Sequence, residues 1–210
     1  MTALPSKIVM ASGNAGKIRE IEHLLAGFSI DVVAQAQLGV SDAEETGTTF
    51  AENSLIKARH AADATGLAAI ADDSGLAVDA LDGRPGVYSA RYAGTDATDE
   101  ENIDKLLEEL AGVEDELRGA AFHCVASFIM PGWPMAIVAE GVWRGTILKA
   151  RRGDGGFGYD PVFLDPASGR TAAELTAEQK NARSHRGQAL RELKAQLEQQ
   201  FESTLSRTPH

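Results

Sequence analysis

Two adjacent aspartates, Asp72 and Asp73, follow the short apolar run "LAAIA", at a point where a buried strand is predicted to end. A second acidic pair, Glu44 and Glu45, stands in a loop before a predicted helix. Carboxylate oxygens suit Mg²⁺, which commonly binds one or two carboxylates together with substrate phosphates, and another carboxylate could orient or deprotonate a water molecule. Because adjacent strand residues point to opposite faces, we expect Asp72 and Asp73 to have different roles. The alternative is that one of them only caps a turn.

The segment "ASGNAGK" could bind a phosphate. It lies between a predicted strand, "KIVM", and a predicted helix, where free backbone N–H groups and the positive end of the helix dipole favour an anion. Its two glycines let the backbone approach a ligand closely, and Lys17 adds a positive charge. It is not a Walker A loop, because Ala11 and Ile18 stand where that motif needs glycine and Ser or Thr. The alternative is a glycine turn followed by a solvated lysine.

An aromatic residue, Phe157, stands among glycines in the stretch "GDGGFGYDP". The G-x-G-x-x-G spacing found here does not indicate a dinucleotide-binding turn, because Pro161 and a strand-like "VF" follow it instead of a helix. A flat ring on an open loop is a good stacking surface for a nucleotide base. The alternative is that Phe157 and Tyr159 are core residues beneath the loop.

Three side chains that donate hydrogen bonds, Lys180, His185 and Arg186, stand close together in "KNARSHRG". Such a group suits an acceptor-rich ligand. The alternative is a solvated basic patch before an amphipathic helix, and this stretch taken alone favours it. Lys57, in the middle of a predicted helix, is likewise more often a surface residue than a ligand contact.

The elements that must position these residues alternate between strands and helices in the first part of the chain. Thr49 and Glu52 have the spacing of a capping box, as do Thr98 and Glu101, and each pair predicts a helix start. A last helix is predicted to start near Ser184. Its predicted buried stripe comprises Leu190, Leu193, Leu197 and Phe201. Antiparallel-looking strands fill the middle of the chain, so the pattern predicts an α/β fold around a mixed sheet, with a ligand beyond the carboxyl ends of its strands.

Charge and composition exclude several classes of protein. The net charge of −11 over 210 residues argues against broad binding to a nucleic-acid backbone, which needs a basic face. No apolar run approaches the roughly 20 residues needed to cross a bilayer, "MTALPSK" lacks the regions of a signal peptide, and the single cysteine, Cys124, rules out an internal disulfide. We therefore expect a cytoplasmic protein without membrane or nucleic-acid partners. We also expect one domain over residues 1–210, with flexible ends at about 1–6 and 203–210.

Five segments occur in one order along the chain, namely "SGNAGK", "ENSLIKA", "ADDSGLAVDAL", "GGFGYDP" and "SHRGQAL". In this combination the chain closely resembles the inosine triphosphate pyrophosphatase family, from Lys7 to the final helix. The resemblance implies an enzyme that hydrolyses ITP, dITP and XTP to the nucleoside monophosphate and pyrophosphate, which removes deaminated purines from the nucleotide pool. It also implies a need for Mg²⁺, a homodimer, and an α/β fold of two lobes around a long mixed β-sheet with flanking helices and a central substrate cleft.

The resemblance also implies roles for individual residues. The family's catalytic aspartate, which is also a metal ligand, matches Asp73, and its metal-binding glutamate matches Glu44. The residues that match its substrate-binding positions are Ser12, Gly13, Asn14, Ala15, Gly16, Lys17, Lys57, Ser74, Phe157, Gly158, Tyr159, Asp160, Lys180, His185 and Arg186. The first six form the triphosphate loop, Lys57 faces the phosphates, Ser74 contacts the substrate, and the last seven bind the base.

The base itself suggests how a purine is selected. Hypoxanthine and xanthine carry an oxygen acceptor at C6, where adenine carries an amino donor. Donors such as Lys180, His185 or nearby backbone N–H groups would bind the oxygen but face the amino group donor to donor, which costs ~1–3 kcal/mol for each unpaired group and rejects adenine. Attack by water at the α- or at the β-phosphorus fits the residues equally.

Two other functions fit parts of the pattern. A related pyrophosphatase acting on modified pyrimidine nucleotides would share the phosphate loop and the acidic residues, although "FGYDP" and "SHR" favour a purine. A non-catalytic nucleotide sensor would need the phosphate loop but not the carboxylates Glu44 and Asp73.

Overall fold

The computed structural model of the chain describes residues 5–13, 17–18, 21–22, 25, 30–133 and 135–205, the last four of them by their backbone alone. Strands with described bounds are β1 (Lys7–Met10), β2 (Asp31–Ala34), β3 (Ala68–Val78), β4 (Gly119–Ile129), β5 (Ile137–Ile147), β6 (Phe163–Asp165) and β7 (Arg170–Thr171). Helices with described bounds are α1 (Phe50–Thr65), α2 (Asp99–Glu109), α3 (Ala177–Arg183) and α4 (His185–Leu205).

The seven described strands form one sheet in the order β2-β1-β3-β4-β5-β6-β7. β1 runs parallel to both of its neighbours, with Val9 opposite Val33 on β2 and Ala69 on β3. β6 runs antiparallel to β5 and to β7. A mixed sheet with flanking helices confirms the predicted α/β fold class.

The strand that carries the two aspartates is longer than the sequence predicts. The pattern predicts a strand that ends at Asp72 and another after Gly75, but β3 is continuous over Ala68–Val78, so this prediction is wrong. Asp, Ser and Gly are typical turn residues, but the side chains of Asp72, Asp73 and Ser74 have polar partners, and the strand continues. The neighbouring β1 ends at Met10, opposite Ile70. The aspartates therefore lie just beyond the carboxyl end of β1, not of β3.

Both capping boxes that the sequence predicts are confirmed. The Thr49 hydroxyl accepts the N–H of Glu52 at 3.1 Å, and α1 ends at Gly66 in the left-handed conformation that glycine favours. The Thr98 and Glu101 side chains form the second box, at the start of α2. These local signals therefore predict the N-terminal ends of α1 and α2 correctly.

The last helix, α4, begins directly after Ser184, as predicted, and the Ser184 hydroxyl accepts the N–H of Gly187 at 3.1 Å. The predicted stripe is buried, comprising Leu190, Leu193, Leu197 and Phe201. No prediction covers α3, although Thr176 and Gln179 form a capping box there that the same spacing rule detects.

The chain divides into two compact units. Unit 1 comprises Met1–Asp73, Val125–Glu140 and Ala189–His210, and unit 2 comprises Ser74–Cys124 and Gly141–Gln188. The strands β3, β4 and β5 each contribute residues to both units. Two units agree with the two lobes that the resemblance implies. The assignment of residues 1–210 as one domain and the central cleft stay predictions.

The core of unit 1 is built from small side chains. Ala58 and Ala61 of α1 pack with Val9 of β1 and with Ala69 and Ala71 of β3, and all five are buried. Short side chains at this contact let the helix lie close to the sheet. Polar groups of α1 can therefore reach polar groups of β3 directly, which sets up the site described below.

The predicted helix after the "GNAG" turn lies partly outside the described residues. Where it is described it is helical, and Ile21 and Leu25 of its predicted apolar face are buried. Of the ends predicted to be flexible, residues 1–4 and 206–210 also lie outside the described part, and residues 203–205 belong to α4. Among the described helices, none is both long and apolar enough to cross a membrane.

Candidate active site

A lysine in unit 1, Lys57, lies between two carboxylates. Its Nζ is 3.0 Å from Asp73 Oδ1 and 2.8 Å from Glu45 Oε1. Lys57 belongs to α1, Asp73 to β3, and Glu45 to the loop before α1. The Lys57 and Asp73 side chains are only 15% and 11% exposed, which excludes a plain surface lysine. We call Glu45, Lys57 and Asp73 the lysine–carboxylate cluster.

A buried serine anchors the helix that carries Lys57. Ser54 Oγ lies 3.1 Å from the carbonyl oxygen of Ala71 on β3 and 2.8 Å from Ser127 Oγ on β4. Ser54 and Ser127 are both fully buried. Since Ser54 precedes Lys57 by three residues, both side chains lie on the helix face that is turned to the sheet. This contact therefore fixes the position of α1 along β3 and keeps Lys57 beside Asp73.

Burial raises the pKa of the Asp73 carboxyl above its usual range, while Lys57 acts in the opposite direction and Glu45 adds to the increase. The pKa of the Lys57 ammonium is raised as well. Burial acts to lower it, but the negative charges of Asp73, Glu45 and Asp72 outweigh burial. Lys57 is therefore protonated at neutral pH, and Asp73 is a stronger proton acceptor than an exposed aspartate, which suits it to act as a general base.

The neighbouring aspartate has a different partner, as the alternation of strand residues predicts. Lys17 Nζ lies 2.9 Å from Asp72 Oδ2, and the Asp72 side chain is almost fully buried. The last residue of the predicted triphosphate loop is thereby held at β3. In the same loop, Ser12 is half-buried and Gly13 is exposed. The loop residues outside the described part are Asn14, Ala15 and Gly16.

In unit 2, the ring of Phe157 is exposed and lies between two cations. It is 57% exposed, and its centroid is 4.6 Å from Lys180 Nζ and 5.7 Å from Arg186 Cζ. The exposed ring excludes the alternative of a core residue for Phe157. Arg186 also places Nη2 3.3 Å from Ser74 Oγ. The structure thus brings together residues from three separate stretches of the sequence, and we call Ser74, Phe157, Lys180 and Arg186 the aromatic–cation cluster.

A buried aspartate, Asp160, holds the loop that carries Phe157. Its Oδ2 accepts the Phe157 N–H at 2.9 Å and pairs with the Lys180 ammonium. Gly156 has a φ of +77°, and a Cβ at this position would lie 2.0 Å from Asp160 Oδ2. Only glycine therefore allows this turn. Asp160 orients both the loop and Lys180 from beneath.

Two of the predicted base-binding side chains are largely buried. The Tyr159 hydroxyl donates to the Ser89 carbonyl oxygen at 2.8 Å, and burial raises the pKa of its phenol. The His185 ring stacks on Phe122 with a centroid distance of 4.8 Å and an angle of 13° between the planes. The Tyr159 ring is therefore a core residue beneath the loop, and stacking holds the His185 ring in one plane.

The family model of Ham1 matches residues 8–196 of the chain. The chain belongs to the Ham1 family. Two relatives named dITP/XTP pyrophosphatase, from Yersinia pestis and Escherichia coli O157:H7, are 62% and 59% identical to it over 186 residues, which are 88% of this chain and 94% of each relative. A HAM1 protein structure from Coxiella burnetii matches with a TM-score of 0.88 and 50% identity, over 92% of this chain and 98% of that one. A nucleoside-triphosphatase / dITP/XTP pyrophosphatase structure from Mycobacterium abscessus matches with a TM-score of 0.75 and 46% identity, over 88% and 97%. These findings confirm the resemblance that the order of the motifs indicates.

Asp73 of this Ham1 chain could bind a metal ion. Its Oδ2 is buried and has no hydrogen-bond partner among the described residues. Glu44 is exposed, and the neighbouring Glu45 is the glutamate whose carboxylate joins Lys57. In the described ranges, no group of three or more His, Cys, Asp or Glu is arranged to hold a metal ion. Mg²⁺ commonly binds one or two protein carboxylates together with substrate phosphates, and the Asp73 carboxylate could be one of them.

Asp99, which was not predicted from the sequence of this Ham1 chain, holds the loop of the aromatic–cation cluster. Asp99 Oδ2 accepts the N–H of Gly158, next to Phe157, at 2.6 Å. Asp99 is the first residue of α2, where the helix dipole favours a carboxylate, and that local preference is the only signal in the sequence. A cavity of about 380 Å³ lies between this first turn of α2 and the glycine-rich loop.

Proposed function

We propose that this chain hydrolyses ITP, dITP and XTP to the nucleoside monophosphate and pyrophosphate. The observation that carries the proposal is the lysine–carboxylate cluster, in which the largely buried Asp73 is paired with Lys57 and has one carboxylate oxygen without a hydrogen-bond partner among the described residues. The substrate class is supported by Ham1 relatives that are named dITP/XTP pyrophosphatases and are 59–62% identical over 88% of the chain.

The two lysines of unit 1 bind the triphosphate. Negative charge on the phosphates repels an incoming nucleophile, and more charge develops on pyrophosphate as it leaves. Lys17 and Lys57 neutralise this charge, and Lys57 is protonated because the nearby carboxylates raise its pKa. Both ammonium groups are held by carboxylates of β3, at 2.9 Å from Asp72 and 3.0 Å from Asp73. The strand therefore positions both cations before the substrate binds.

Mg²⁺ is the cofactor of this proposal, with Asp73 and Glu44 as its ligands from the protein. When bound, it neutralises phosphate oxygens and lowers the pKa of a bound water. The free Oδ2 of Asp73 fits this role, because a buried carboxylate oxygen without a protein donor suits a hard cation. Glu44 directly precedes Glu45, whose carboxylate is part of the lysine–carboxylate cluster.

Asp73 is also the general base of this proposal. It accepts a proton from the attacking water, and a positioned base of this kind typically accelerates a reaction by about 10²–10⁴-fold. Burial raises the pKa of Asp73 and makes it a better proton acceptor, whereas Lys57 limits that increase. The rest of the acceleration comes from positioning and from the lysines.

The aromatic–cation cluster of unit 2 binds the purine. The exposed ring of Phe157 stacks on the base, and Lys180, Arg186 and His185 supply hydrogen-bond donors for its acceptors. An oxygen at C6 satisfies these donors, whereas the amino group of adenine leaves donors unpaired. Asp160 holds Lys180 and the Phe157 backbone together, so that the donor and the stacking surface keep a fixed spacing.

Replacing Lys180 is expected to weaken the choice between purines. Lys180→Ala should lower the ratio of kcat/KM for ITP to kcat/KM for ATP by about tenfold, the effect of one unpaired donor. The matched control is Arg183→Ala, which removes a neighbouring cation of α3 that pairs with Asp165 instead and should leave the ratio unchanged. An unchanged ratio in Lys180→Ala would mean that backbone N–H groups, and not Lys180, bind the C6 oxygen.

The homodimer and the cytoplasmic location belong to the same proposal. The family resemblance alone supports the dimer, and sedimentation of the purified chain tests it by giving the mass of one or of two chains. The location follows from the substrate, because free nucleoside triphosphates are found in the cytoplasm.

Release of pyrophosphate from dITP in the presence of Mg²⁺ tests the proposed function. A chain that only sensed nucleotides would bind dITP and release no pyrophosphate. A pyrophosphatase specific for modified pyrimidine nucleotides would prefer modified UTP analogues to dITP.

A further inference from the structure

A buried asparagine of α1, Asn53, has an amide whose orientation is fixed. Asn53 is 0% exposed, and its Oδ1 accepts the N–H of Gly47 at 2.8 Å. Turning the amide round would set its NH₂ group against this N–H, donor to donor. A Cβ at Gly47 would lie 2.6 Å from Asn53 Oδ1, so the glycine is what allows this close contact. Oδ1 is therefore the acceptor that faces Gly47, and Nδ2 is the donor on the other side.

The donor of this amide has no partner among the described residues. Asn53 Nδ2 is buried and makes no hydrogen bond within the described part of the chain, and the same is true of Asp73 Oδ2. Buried polar groups in native proteins are nearly always hydrogen-bonded, so each exception requires an explanation. Of these two atoms, Asn53 Nδ2 is a donor and Asp73 Oδ2 is an acceptor.

The two groups lie on facing elements of unit 1. Asn53 precedes Lys57 by four residues, one helical turn, so both side chains lie on the same face of α1. Lys57 contacts Asp73 Oδ1 directly. The Asn53 amide also lies near the Asp73 carboxyl and opposes the increase in its pKa that burial causes, although Nδ2 makes no direct hydrogen bond with it. The Asn53 donor and the Asp73 oxygen, both without a hydrogen-bond partner among the described residues, therefore lie on facing elements close to Lys57.

We propose that Asn53 is a catalytic residue that holds, together with Asp73, the water molecule that attacks the triphosphate. This inference rests on the proposed function. Water both accepts and donates hydrogen bonds, so one molecule can accept the Asn53 Nδ2–H and donate to Asp73 Oδ2. A carboxylate oxygen has two lone pairs, which allows Asp73 Oδ2 to accept this bond and to bind a cation as well.

The reaction step balances with these groups alone. The water oxygen forms a bond to phosphorus while one of its protons passes to Asp73 Oδ2. The P–O bond that joins the monophosphate to pyrophosphate breaks, and its electron pair stays on the departing oxygen. Asn53 donates a hydrogen bond to a lone pair of the water oxygen during the whole step and so orients the water. Asn53 itself gains or loses no proton.

Two replacements of Asn53 test the inference. Asn53→Asp keeps an oxygen for the Gly47 N–H but removes the donor, and Asn53→Ala removes both groups. The control is Thr65→Ala at the C-terminal end of α1, about three helical turns from Asn53, which removes hydrogen bonds with the Ala61 carbonyl oxygen and the Leu67 N–H. For each protein we would measure kcat and KM for dITP, the Kd of a non-hydrolysable α,β-methylene analogue, and the midpoint of thermal unfolding.

Both Asn53 variants are expected to lower kcat by about 100-fold, the usual loss for one positioned donor, while KM and the analogue's Kd change less than about threefold. Thr65→Ala should keep kcat within about threefold of the wild type even though it unfolds at a lower temperature. If Asn53→Ala does not fold, Asn53→Asp decides, since it keeps the anchor to Gly47.

Three results would overturn the inference. They are an unchanged kcat in a folded Asn53 variant, a loss of kcat that Thr65→Ala shares, and a loss of kcat that is matched by an equal loss of analogue affinity. Each of these would mean that Asn53 only anchors the loop before α1. A wild-type protein that released no pyrophosphate from dITP would instead contradict the proposed function, and the inference with it.

Discussion

Asp73→Asn is expected to lower kcat for dITP by about 1,000-fold, within the range for loss of a general base. The amide cannot accept the proton of the attacking water, and it is a weaker ligand for Mg²⁺ than a carboxylate. The substitution keeps the shape of a side chain that is only 11% exposed, so the strand should not be disturbed. Lys57 keeps its contact with Glu45 at 2.8 Å and stays in place for the phosphates.

The affinity for a substrate analogue distinguishes a catalytic role of Asp73 from a role in substrate binding. The Kd of the α,β-methylene analogue of dITP should change less than about threefold in Asp73→Asn, because the lysines and the aromatic–cation cluster are intact. Asp72→Asn is the matched control, since the adjacent residue of β3 pairs with Lys17 instead and should lose far less kcat. Near-normal turnover in Asp73→Asn, or an equal loss in Asp72→Asn, would contradict the role of Asp73.

Lys57→Met is expected to lower both kcat/KM and stability. The variant loses the cation that lies within 3.0 Å of two carboxylates, and Asp73 is left as a largely buried charge facing Glu45. Removing one partner of such a pair destabilises a protein by about 3 kcal/mol. Loss of a charge that stabilises the leaving pyrophosphate should lower kcat/KM for dITP by about 100-fold.

A surface lysine provides the control for stability. Lys7 pairs with Asp31 at 3.4 Å, but the two side chains are 44% and 63% exposed, so Lys7→Met should cost less than about 1 kcal/mol. Urea unfolding in metal-free buffer measures both variants against the wild type. Equal, small losses of stability would mean that the Lys57 contacts contribute no more than a surface pair, and an unchanged kcat/KM would remove Lys57 from the phosphate site.

Local signals in the sequence predict the helices well. The capping boxes at Thr49 and Thr98 mark the helix starts, and the apolar stripe of α4 is buried as its spacing predicts. Each of these features depends on residues within about one or two helical turns. The prediction that a strand ends at Asp72 and Asp73 is wrong for the same reason. Its local residues are typical of a turn, and only distant partners, among them Lys17 and Arg186, satisfy its polar side chains.

The sequence likewise predicts some features of the candidate site and not others. Residue types and spacing indicate two acidic pairs, a phosphate loop and an exposed aromatic residue. They do not indicate which glutamate pairs with Lys57, because Glu44 and Glu45 are equivalent until the loop before α1 is placed against the helix. Asn53 has no local signal at all, since its importance comes from Gly47 on one side and Asp73 on the other. Such roles follow from tertiary structure alone.

The most direct test of the account is a pyrophosphate-release assay with dITP, XTP, ATP and GTP side by side, with and without Mg²⁺. We expect dITP and XTP to release pyrophosphate with Mg²⁺ and not without it, and ATP to react at least about 100-fold more slowly in kcat/KM, as two unpaired donors would require. GTP reports whether the 2-amino group of a keto purine is rejected as well. Equal rates for dITP and ATP, or pyrophosphate release that does not depend on Mg²⁺, would contradict a metal-dependent enzyme selective for deaminated purines.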